Sequence, residues 1–188
     1  MEPEIRAALL KLYLERLRTF GDEDAASIRR DVRPETVRRV EAAPAAGWLP
    51  IALEIEILHA VQRCRGDDGV RELGRVLGRA ATDTAVFQPL VTATLAMLGR
   101  LPEVLGWIAA KGWNIATRNA GHATSLRRGP RLVHVVLEDL PPISRDRAHL
   151  LRSCGGIEGL YAWAGRAARV DLVWEPGSDR AVFVSSWS

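Results

Sequence analysis

The sequence predicts an α+β fold, in which an N-terminal helical layer packs on a small antiparallel sheet and a C-terminal helix precedes a β-hairpin. Three observations support this fold class. Apolar residues recur with helical spacing through most of residues 1–111. After Gly112 the pattern becomes alternating and rich in β-branched residues. A further helical stretch and two strand-like segments then end the chain, an order typical of α+β rather than of alternating α/β proteins.

The N-terminal third is expected to be helical. Helices are predicted over three segments: Ile5–Phe20, Asp22–Asp31 and Pro34–Ala42. Gly21 ends the first of them, because glycine favours a helix C-terminus. Pro34 suits the first helical position of the third, where its missing N–H costs nothing. Residues 43–47 form a connector that is too short to separate domains.

The segment Leu49–Arg65 allows two interpretations. Residues 53–57 alternate as a strand would, whereas Ile51, Ile55 and Leu58 follow the spacing of a helix. Its length favours a helix. Residues 66–69 then predict a turn, with Asp68 as the N-cap of the next helix.

Two glycines interrupt the helical stripe of Val70–Ala81. Gly74 and Gly78 lie four residues apart, on one face of that helix. Glycine inside a helix costs about 1 kcal/mol relative to alanine, so two of them indicate a close helix crossing. A ligand that approaches the backbone there is the alternative. Further helices are predicted over Gln88–Gly99 and from Pro102 to about Lys111.

The remaining segments predict the sheet and its covering helix. Trp113, Ile115 and Thr117 alternate with more polar residues, which predicts a strand. The other predicted strands are His122–Arg127, Arg131–Glu138, Val170–Trp174 and Arg180–Trp187. Ser144 is expected to cap a helix that runs to about Ala168, with Gly155 and Gly156 as a kink or interruption.

The composition is that of one folded domain over residues 1–188. The chain is 47% hydrophobic and 26% charged, which excludes a disordered tail, a collagen-like repeat and a disulfide scaffold. Cys64 and Cys154 are expected to be buried, reduced thiols. The near-apolar run Pro89–Gly99 is too short to span a membrane, and the N-terminus lacks an apolar signal core. A cytoplasmic location is predicted.

Catalytic and metal-binding motifs are absent from the sequence. No serine lies in a G-x-S-x-G motif, and Gly155-Gly156 is not followed by the Lys-Ser/Thr of a phosphate-binding loop. The four histidines show no metal-ligand spacing. Glu54 and Glu56 fall on different faces of a helix, so they are not expected to share a proton. The sequence therefore predicts no enzyme and no metal site.

Nucleic-acid binding is the alternative function. The formal net charge is +3, a weak field for a domain of this size. The stretch 100–131 is nonetheless basic, with Glu103 as its one acid; its basic residues are Arg100, Lys111, Arg118, Arg127, Arg128 and Arg131. Arginines and aromatic residues on a sheet can grip phosphates and stack on bases. A solvated hairpin edge explains the same charges and is the favoured interpretation.

The six tryptophans are the remaining signal, against two tyrosines and three phenylalanines. Tryptophan fills cores, lines apolar pockets and anchors interfaces. Core packing is predicted for Trp163 and Trp174. The residues predicted to line a ligand pocket between helices and sheet are Trp48, Phe87, Trp107 and Trp113. Arg118 is predicted to hold an acidic group at the pocket entrance.

Four segments resemble a family of paralogous, uncharacterised myxobacterial proteins: Arg18–Glu23, Gly47–Leu53, Arg71–Arg75 and Gly177–Trp187. The match spans most of the chain. That family is distantly similar to vinyl-4-reductase-like domains, to haem-nitric-oxide-binding (H-NOX) domains and to TRAPP-type trafficking subunits. The resemblance implies an α+β fold, dimerisation and a pocket between helices and sheet.

Two departures limit what this resemblance implies. The C-terminal hairpin, residues 175–188, has none of the cysteines common in vinyl-4-reductase-like domains. The segment Tyr161–Arg166 does not match the Y-x-S-x-R motif with which H-NOX domains hold the haem propionates. Neither a metal site nor haem ligation by His59 or His149 is therefore expected.

The predicted function is a non-enzymatic, homodimeric sensor or adaptor. It would bind a small apolar or planar molecule, or a partner protein, through the tryptophan-lined pocket. The sequence leaves the ligand, the cofactor and the partner unidentified.

Overall fold

The structure is a computed structural model that describes residues 1–98 and 101–187, with the side chain of Leu98 left out. Its α-helices are α1 (Ala7–Arg16), α2 (Asp22–Asp31), α3 (Pro34–Ala42), α4 (Ile51–Ala81), α5 (Gln88–Leu98), α6 (Pro102–Ala116) and α7 (Arg147–Trp163). Its strands are β1 (Glu4–Arg6), β2 (Trp48–Pro50), β3 (Thr117–Arg118), β4 (His122–Gly129), β5 (Leu132–Glu138), β6 (Ala168–Val173) and β7 (Ala181–Trp187). The fold class is α+β, as predicted.

The strands form two antiparallel sheets. The smaller sheet has the order β2-β1-β3, and Ile5 at its centre lies opposite Leu49 and Thr117. The larger sheet has the order β4-β5-β7-β6. There Val135 lies opposite Ser125 on one side and Phe183 on the other. The smaller sheet thus joins the N-terminal segment to the end of α6, whereas the larger sheet is formed by residues 122–187.

The predicted close helix crossing is confirmed and lies between α4 and α7, the most extensively packed pair of helices. A Cβ atom added at Gly78 would lie 2.0 Å from the carbonyl oxygen of Gly156. A Cβ atom at Gly155 would lie 2.0 Å from the carbonyl oxygen of Arg71. On α7 the same role belongs to Gly155 and Gly159, so glycines of both helices let the two backbones touch. Gly155 and Gly156 do not kink or interrupt α7, which is a continuous helix.

An ion-pair network fastens the same crossing to the sheet. The Glu158 carboxylate on α7 accepts hydrogen bonds from Arg71 Nε at 3.1 Å and from Arg75 Nε at 2.8 Å, both on α4. It also accepts the backbone N–H of Val170 on β6, at 3.1 Å. Arg71 in turn donates to the carbonyl oxygen of Val170. One carboxylate therefore ties α4, α7 and β6 together.

The strand predicted from Trp113, Ile115 and Thr117 is wrong, because α6 continues to Ala116. The buried residues Ile108, Trp113 and Ala116 follow helical spacing, and this burial decides the structure. Only Thr117 and Arg118 are extended, and they pair with β1 as the short strand β3.

Helix boundaries differ from the predictions in three further places. Ile5 belongs to β1 rather than to the first helix, whose last four residues, Leu17–Phe20, form a 3₁₀ turn. The predicted turn over residues 66–69 is a bend at Gly66, with φ of 67°, inside the segment assigned to α4. Asp146, not Ser144, caps α7: its carboxylate accepts the backbone N–H groups of Ala148 and His149.

A continuous apolar core connects the helices and the larger sheet, and Trp163 and Trp174 pack against it while half-buried.

The prediction that both cysteines are buried is wrong for one of them: Cys154 is buried, but Cys64 is exposed. Over residues 1–98 and 101–187, no helix is long and apolar enough to cross a membrane. The helix predicted over Gln88–Gly99 matches α5 as far as Leu98, and Gly99 lies outside the described residues.

Candidate functional site

The α4–α7 crossing forms one wall of an apolar cavity with a volume of about 150 Å³. The other walls come from α1, α6, the start of α5, and strands β1, β5 and β7. Gly74, Gly78 and Gly156 all line the cavity, so the contact that brings the helices together also shapes the wall. The ring of Phe87 packs beside Gly112 of α6, where an added Cβ would lie 3.4 Å from a ring carbon.

The cavity is lined mainly by aliphatic and aromatic side chains and by glycines. Its polar lining residues are Tyr13, Thr82, Thr117, Arg152 and Ser153. The hydroxyl group of Thr117 donates to the Trp113 carbonyl oxygen, and that of Ser153 donates to the His149 carbonyl oxygen. These hydroxyl groups serve the helix backbone. The polar lining groups that a ligand could contact are therefore mainly those of Tyr13 and Arg152.

Tyr13 and Arg152 belong to a buried polar cluster centred on Glu54, which is 0% exposed. The Tyr13 hydroxyl donates to Glu54 Oε1 at 2.5 Å, and Arg152 Nη2 lies 2.8 Å from the same oxygen. His149 Nδ1 lies 3.2 Å from Glu54 Oε2. The cluster thus joins α1, α4 and α7. A buried carboxylate without such partners would be strongly unfavourable.

Charge pairing outweighs burial at Glu54. Burial alone would raise the pKa of this carboxyl, but Arg152, His149 and the Tyr13 hydroxyl hold it at about 2. Burial likewise disfavours the charged form of Arg152, and the nearby Glu54 carboxylate nevertheless raises its pKa. Burial raises the pKa of Tyr13 well above its usual value. The cavity is therefore bordered by an ion pair and a neutral phenol.

Several buried atoms of this region have no hydrogen-bond partner within residues 1–98 and 101–187. They are Trp113 Nε1, His149 Nε2 and Arg152 Nε. The edge of one ring faces the other where Trp113 packs against His149, with ring centroids 5.2 Å apart. Such groups are rare in protein interiors, and their concentration at one place is a mark of this site.

Two of the five predicted pocket residues line the cavity, namely Phe87 and Trp113. Trp48 does not; it lies half-buried on the smaller sheet between two guanidinium groups. The Cζ atoms of Arg6 and Arg118 lie 3.8 and 4.8 Å from the centroid of its ring. Arg118 also pairs with Glu4. The structure therefore groups Trp48 with Arg118, and neither residue lines the cavity. The ligand-binding roles of all five residues stay predictions.

Trp107 lies on the outer face of α6. It is 39% exposed, and the Lys111 ammonium group lies 5.6 Å from its ring centroid. Trp113 lies six residues further along the same helix and faces the interior. The two tryptophans that flank the predicted helix-to-sheet boundary are thus on different faces of one helix.

The polar cluster was not predicted from the sequence, although one signal for it exists. Glu54 lies three residues after Ile51 and four before Leu58, on the apolar stripe of α4. A carboxylate at that place must be buried and therefore needs partners. Its partners Tyr13, His149 and Arg152 are far away in sequence, so no local pattern identifies them.

The basic stretch 100–131 is partly neutralised. Arg118 pairs with Glu4, and Arg127 Nη2 lies 3.5 Å from Glu103 Oε1. Arg100 lies outside the described residues. Nucleic-acid binding by this stretch stays a prediction.

Histidine and cysteine side chains do not assemble into a metal site. No group of three or more His, Cys, Asp or Glu side chains with metal-binding geometry occurs in the described part of the chain. His59 Nε2 lies 2.8 Å from the Asp146 carboxylate, and His149 faces Glu54. Both imidazole rings therefore face carboxylates of the protein itself.

Comparison with known proteins identifies the fold. No protein-family model matches the chain, and no curated protein matches it. The Fe(II) unliganded H-NOX protein from K. algicida has a TM-score of 0.62 and 10% identity, over 98% of this chain and 97% of that one. The fold is that of H-NOX domains.

Other H-NOX structures agree over similar lengths. A point mutant of the T. tengcongensis H-NOX has a TM-score of 0.59 and 14% identity, over 98% of both chains. The Cs H-NOX protein with 4-cyano-L-phenylalanine has a TM-score of 0.59 and 15% identity, over 98% of this chain and 97% of its own. Identities this low show a shared fold and leave function to the site. Membership of the myxobacterial family stays a prediction.

Two of the similar structures concern the distortion of a bound haem, which raises the question whether this cavity fits that group. The lining residues include no histidine, cysteine or methionine that could ligate iron. The hydroxyl group of the lining residue Tyr13 donates a hydrogen bond to Glu54. A volume of about 150 Å³ also falls far short of a porphyrin. The described residues therefore do not fit haem.

Proposed function

We propose that this domain is a non-enzymatic sensor that binds one small apolar or aromatic molecule in the cavity between α4, α6 and α7, without haem. The observation that carries the proposal is the cavity itself, apolar over most of its wall and bordered by the Tyr13–Arg152 side of the cluster. Pockets of this kind, apolar with a few placed polar groups, are typical ligand sites.

The size of the cavity sets the size of the ligand. Its volume is about 150 Å³. An engineered protein cavity of about 150 Å³ with an apolar lining stays dry and binds benzene or xenon. Pockets for drug-sized molecules measure roughly 300–1,000 Å³. A ligand with a single aromatic ring or a short aliphatic chain matches this site.

The polar groups support binding rather than catalysis. Glu54 and Arg152 neutralise each other, and the Tyr13 hydroxyl is used by the same carboxylate. The Ser153 hydroxyl is engaged with a helix carbonyl. The described lining residues thus contain no nucleophile paired with a base, the arrangement that covalent catalysis needs.

The position of the cavity suits a sensor. A ligand there contacts α1 near the N-terminus, α4 in the middle, and α7 and β7 near the C-terminus. Binding to the folded state alone stabilises it by mass action. A bound ligand would thereby stabilise helices and strands from all parts of the chain.

Toluene titration tests the proposal. At about 100 times its dissociation constant, a ligand specific for the folded state adds about 2.7 kcal/mol of stability. For a domain of this size the melting temperature should rise by roughly 5–10 °C. Ala109→Leu adds bulk to a lining residue of α6 and should abolish the rise.

Ala80→Leu is the matched control, because Ala80 is half-buried on α4 and does not line the cavity. It should keep the full response to toluene. An unchanged melting temperature in the wild-type protein, or equal responses in both variants, would place ligand binding elsewhere or exclude it.

The adaptor role and the homodimer are separate predictions, which light scattering and partner-binding measurements address.

A further inference from the structure

Two residues of the cavity wall carry buried N–H donors that meet no acceptor among the described residues. They are the indole Nε1 of Trp113 and the guanidinium Nε of Arg152. Trp113 is 8% exposed, and the side chain of Arg152 is 16% exposed. A buried donor without an acceptor is unfavourable, whereas the same donor facing a ligand acceptor contributes to binding.

Neither donor can be satisfied by the neighbouring protein groups as they are arranged. The Trp113 ring meets His149 edge to face without a hydrogen bond. Arg152 contacts Glu54 Oε1 through Nη2, so its Nε has no acceptor among the described residues. The second Glu54 oxygen lies against His149 Nδ1. Acceptors within the cluster are therefore directed at other atoms.

The charge balance restricts the ligand further. Arg152 is already neutralised by the Glu54 carboxylate at 2.8 Å. An anionic ligand group would have to lose its hydration in an apolar cavity and lie close to that carboxylate, and both effects oppose binding. An uncharged acceptor avoids both costs.

We infer that the ligand is a small aromatic molecule with one uncharged hydrogen-bond acceptor, such as a nitrile or carbonyl group, which receives hydrogen bonds from Trp113 Nε1 and Arg152 Nε. This inference rests on the proposed function and specifies the ligand class for the same cavity. The aromatic ring would fill the apolar part, with the acceptor on the side formed by Trp113 and Arg152, which both line the cavity.

The test compares benzonitrile with phenylacetylene. The two molecules share size and linear shape, but only the nitrile has an acceptor nitrogen. The quantity measured is the ratio of the phenylacetylene to the benzonitrile dissociation constant, by calorimetry, for each protein variant. Because the two ligands differ in water solubility, the change of this ratio between variants carries the information.

Trp113→Phe keeps an aromatic ring and removes Nε1, so the ratio should fall by about fivefold, the factor of one neutral hydrogen bond. Arg152→Lys keeps a positive charge beside Glu54 and removes Nε, and it should lower the ratio to a similar extent. Trp107→Phe, on the outer face of α6, is the control and should leave the ratio unchanged. The infrared C≡N stretch of bound benzonitrile should also shift between the wild-type protein and each of the two cavity variants.

The outcomes separate the two proposals. If neither ligand binds the wild-type protein, the proposed function fails and this inference fails with it. If both bind with the same ratio in the wild-type protein and in both cavity variants, the cavity binds ligands but the acceptor inference is overturned. Should Trp113→Phe fail to fold, Arg152→Lys and the nitrile stretch decide the question.

Discussion

Replacing Gly155 with alanine should destabilise the protein, whereas the same replacement at Gly156 should stabilise it. Both glycines lie inside α7, so helix propensity favours alanine by about 1 kcal/mol at each position. The surroundings differ. At Gly156 the atom nearest to an added Cβ is 3.9 Å away, whereas at Gly155 the Arg71 carbonyl oxygen lies at 2.0 Å.

The expected magnitudes follow from these distances. The Gly156→Ala methyl group fits without displacement, so most of the propensity gain, about 0.5–1 kcal/mol, should remain. At Gly155 the obstacle is backbone of α4, so the two helices must separate. Overpacking of this kind costs roughly 1–3 kcal/mol and exceeds the propensity gain. Because the propensity gain is common to both variants, their stabilities should differ by this overpacking cost, about 1–3 kcal/mol.

Urea unfolding followed by circular dichroism measures this difference from the shift of the midpoint at constant slope. The melting temperatures of the two variants should differ by roughly 2–12 °C. A Gly155→Ala variant as stable as Gly156→Ala would refute the close approach of α4 and α7. It would also remove the basis for the cavity wall that this crossing forms.

Two further predictions concern titration and thiol reactivity. The folded-state pKa of Glu54 is about 2, below the ordinary 4.5, so its stabilising contribution is present above pH 4.5 and is lost as the pH falls toward 2. Between pH 4.5 and 2 the Glu54→Gln variant should lose less stability than the wild-type protein, as measured by urea unfolding at each pH. If both proteins lose the same stability over this range, the low pKa of Glu54 is contradicted. In the native protein Cys64 should react with a thiol reagent, whereas Cys154, buried with its pKa raised to about 12, should react only on unfolding. Cys64→Ser should abolish the reaction of the native protein with the reagent. If both thiols of the native wild-type protein react at the same rate, Cys154 is not buried as described.

Much of the fold could be predicted from the sequence, because local patterns determine it. The glycines Gly74 and Gly78 indicated a close crossing, since a helix retains such residues only for a packing reason. Gly155, which meets α4 at this crossing, was interpreted together with Gly156 as a kink or interruption. Sequence spacing shows that a helix carries glycines, but it does not show which second helix comes close to them.

The end of α6 shows where alternation misleads. Trp113, Ile115 and Thr117 have the spacing of a strand, yet Trp113 and Ala116 are buried on one face of a helix. Over so few residues both periods fit, and the tertiary environment decides. The pocket role of Trp113 was predicted from its place at a boundary between helix and sheet; the residue lies within α6 instead and nevertheless lines the cavity.

The polar cluster lies beyond local reasoning for another reason. Glu54 is brought together with Tyr13, His149 and Arg152 only by the packing of α1, α4 and α7. The sequence could have shown that a glutamate on an apolar stripe needs partners. It could not have shown which partners, because they come from opposite ends of the chain.

Parallel titrations of the ligand-free protein with haemin and with toluene, followed by visible absorbance and by calorimetry, show whether this H-NOX fold holds a small apolar ligand in place of haem. We expect saturable toluene binding at one site and no stoichiometric change of the haemin Soret band. A one-to-one haemin complex with a shifted Soret band, from which toluene is excluded, would contradict it.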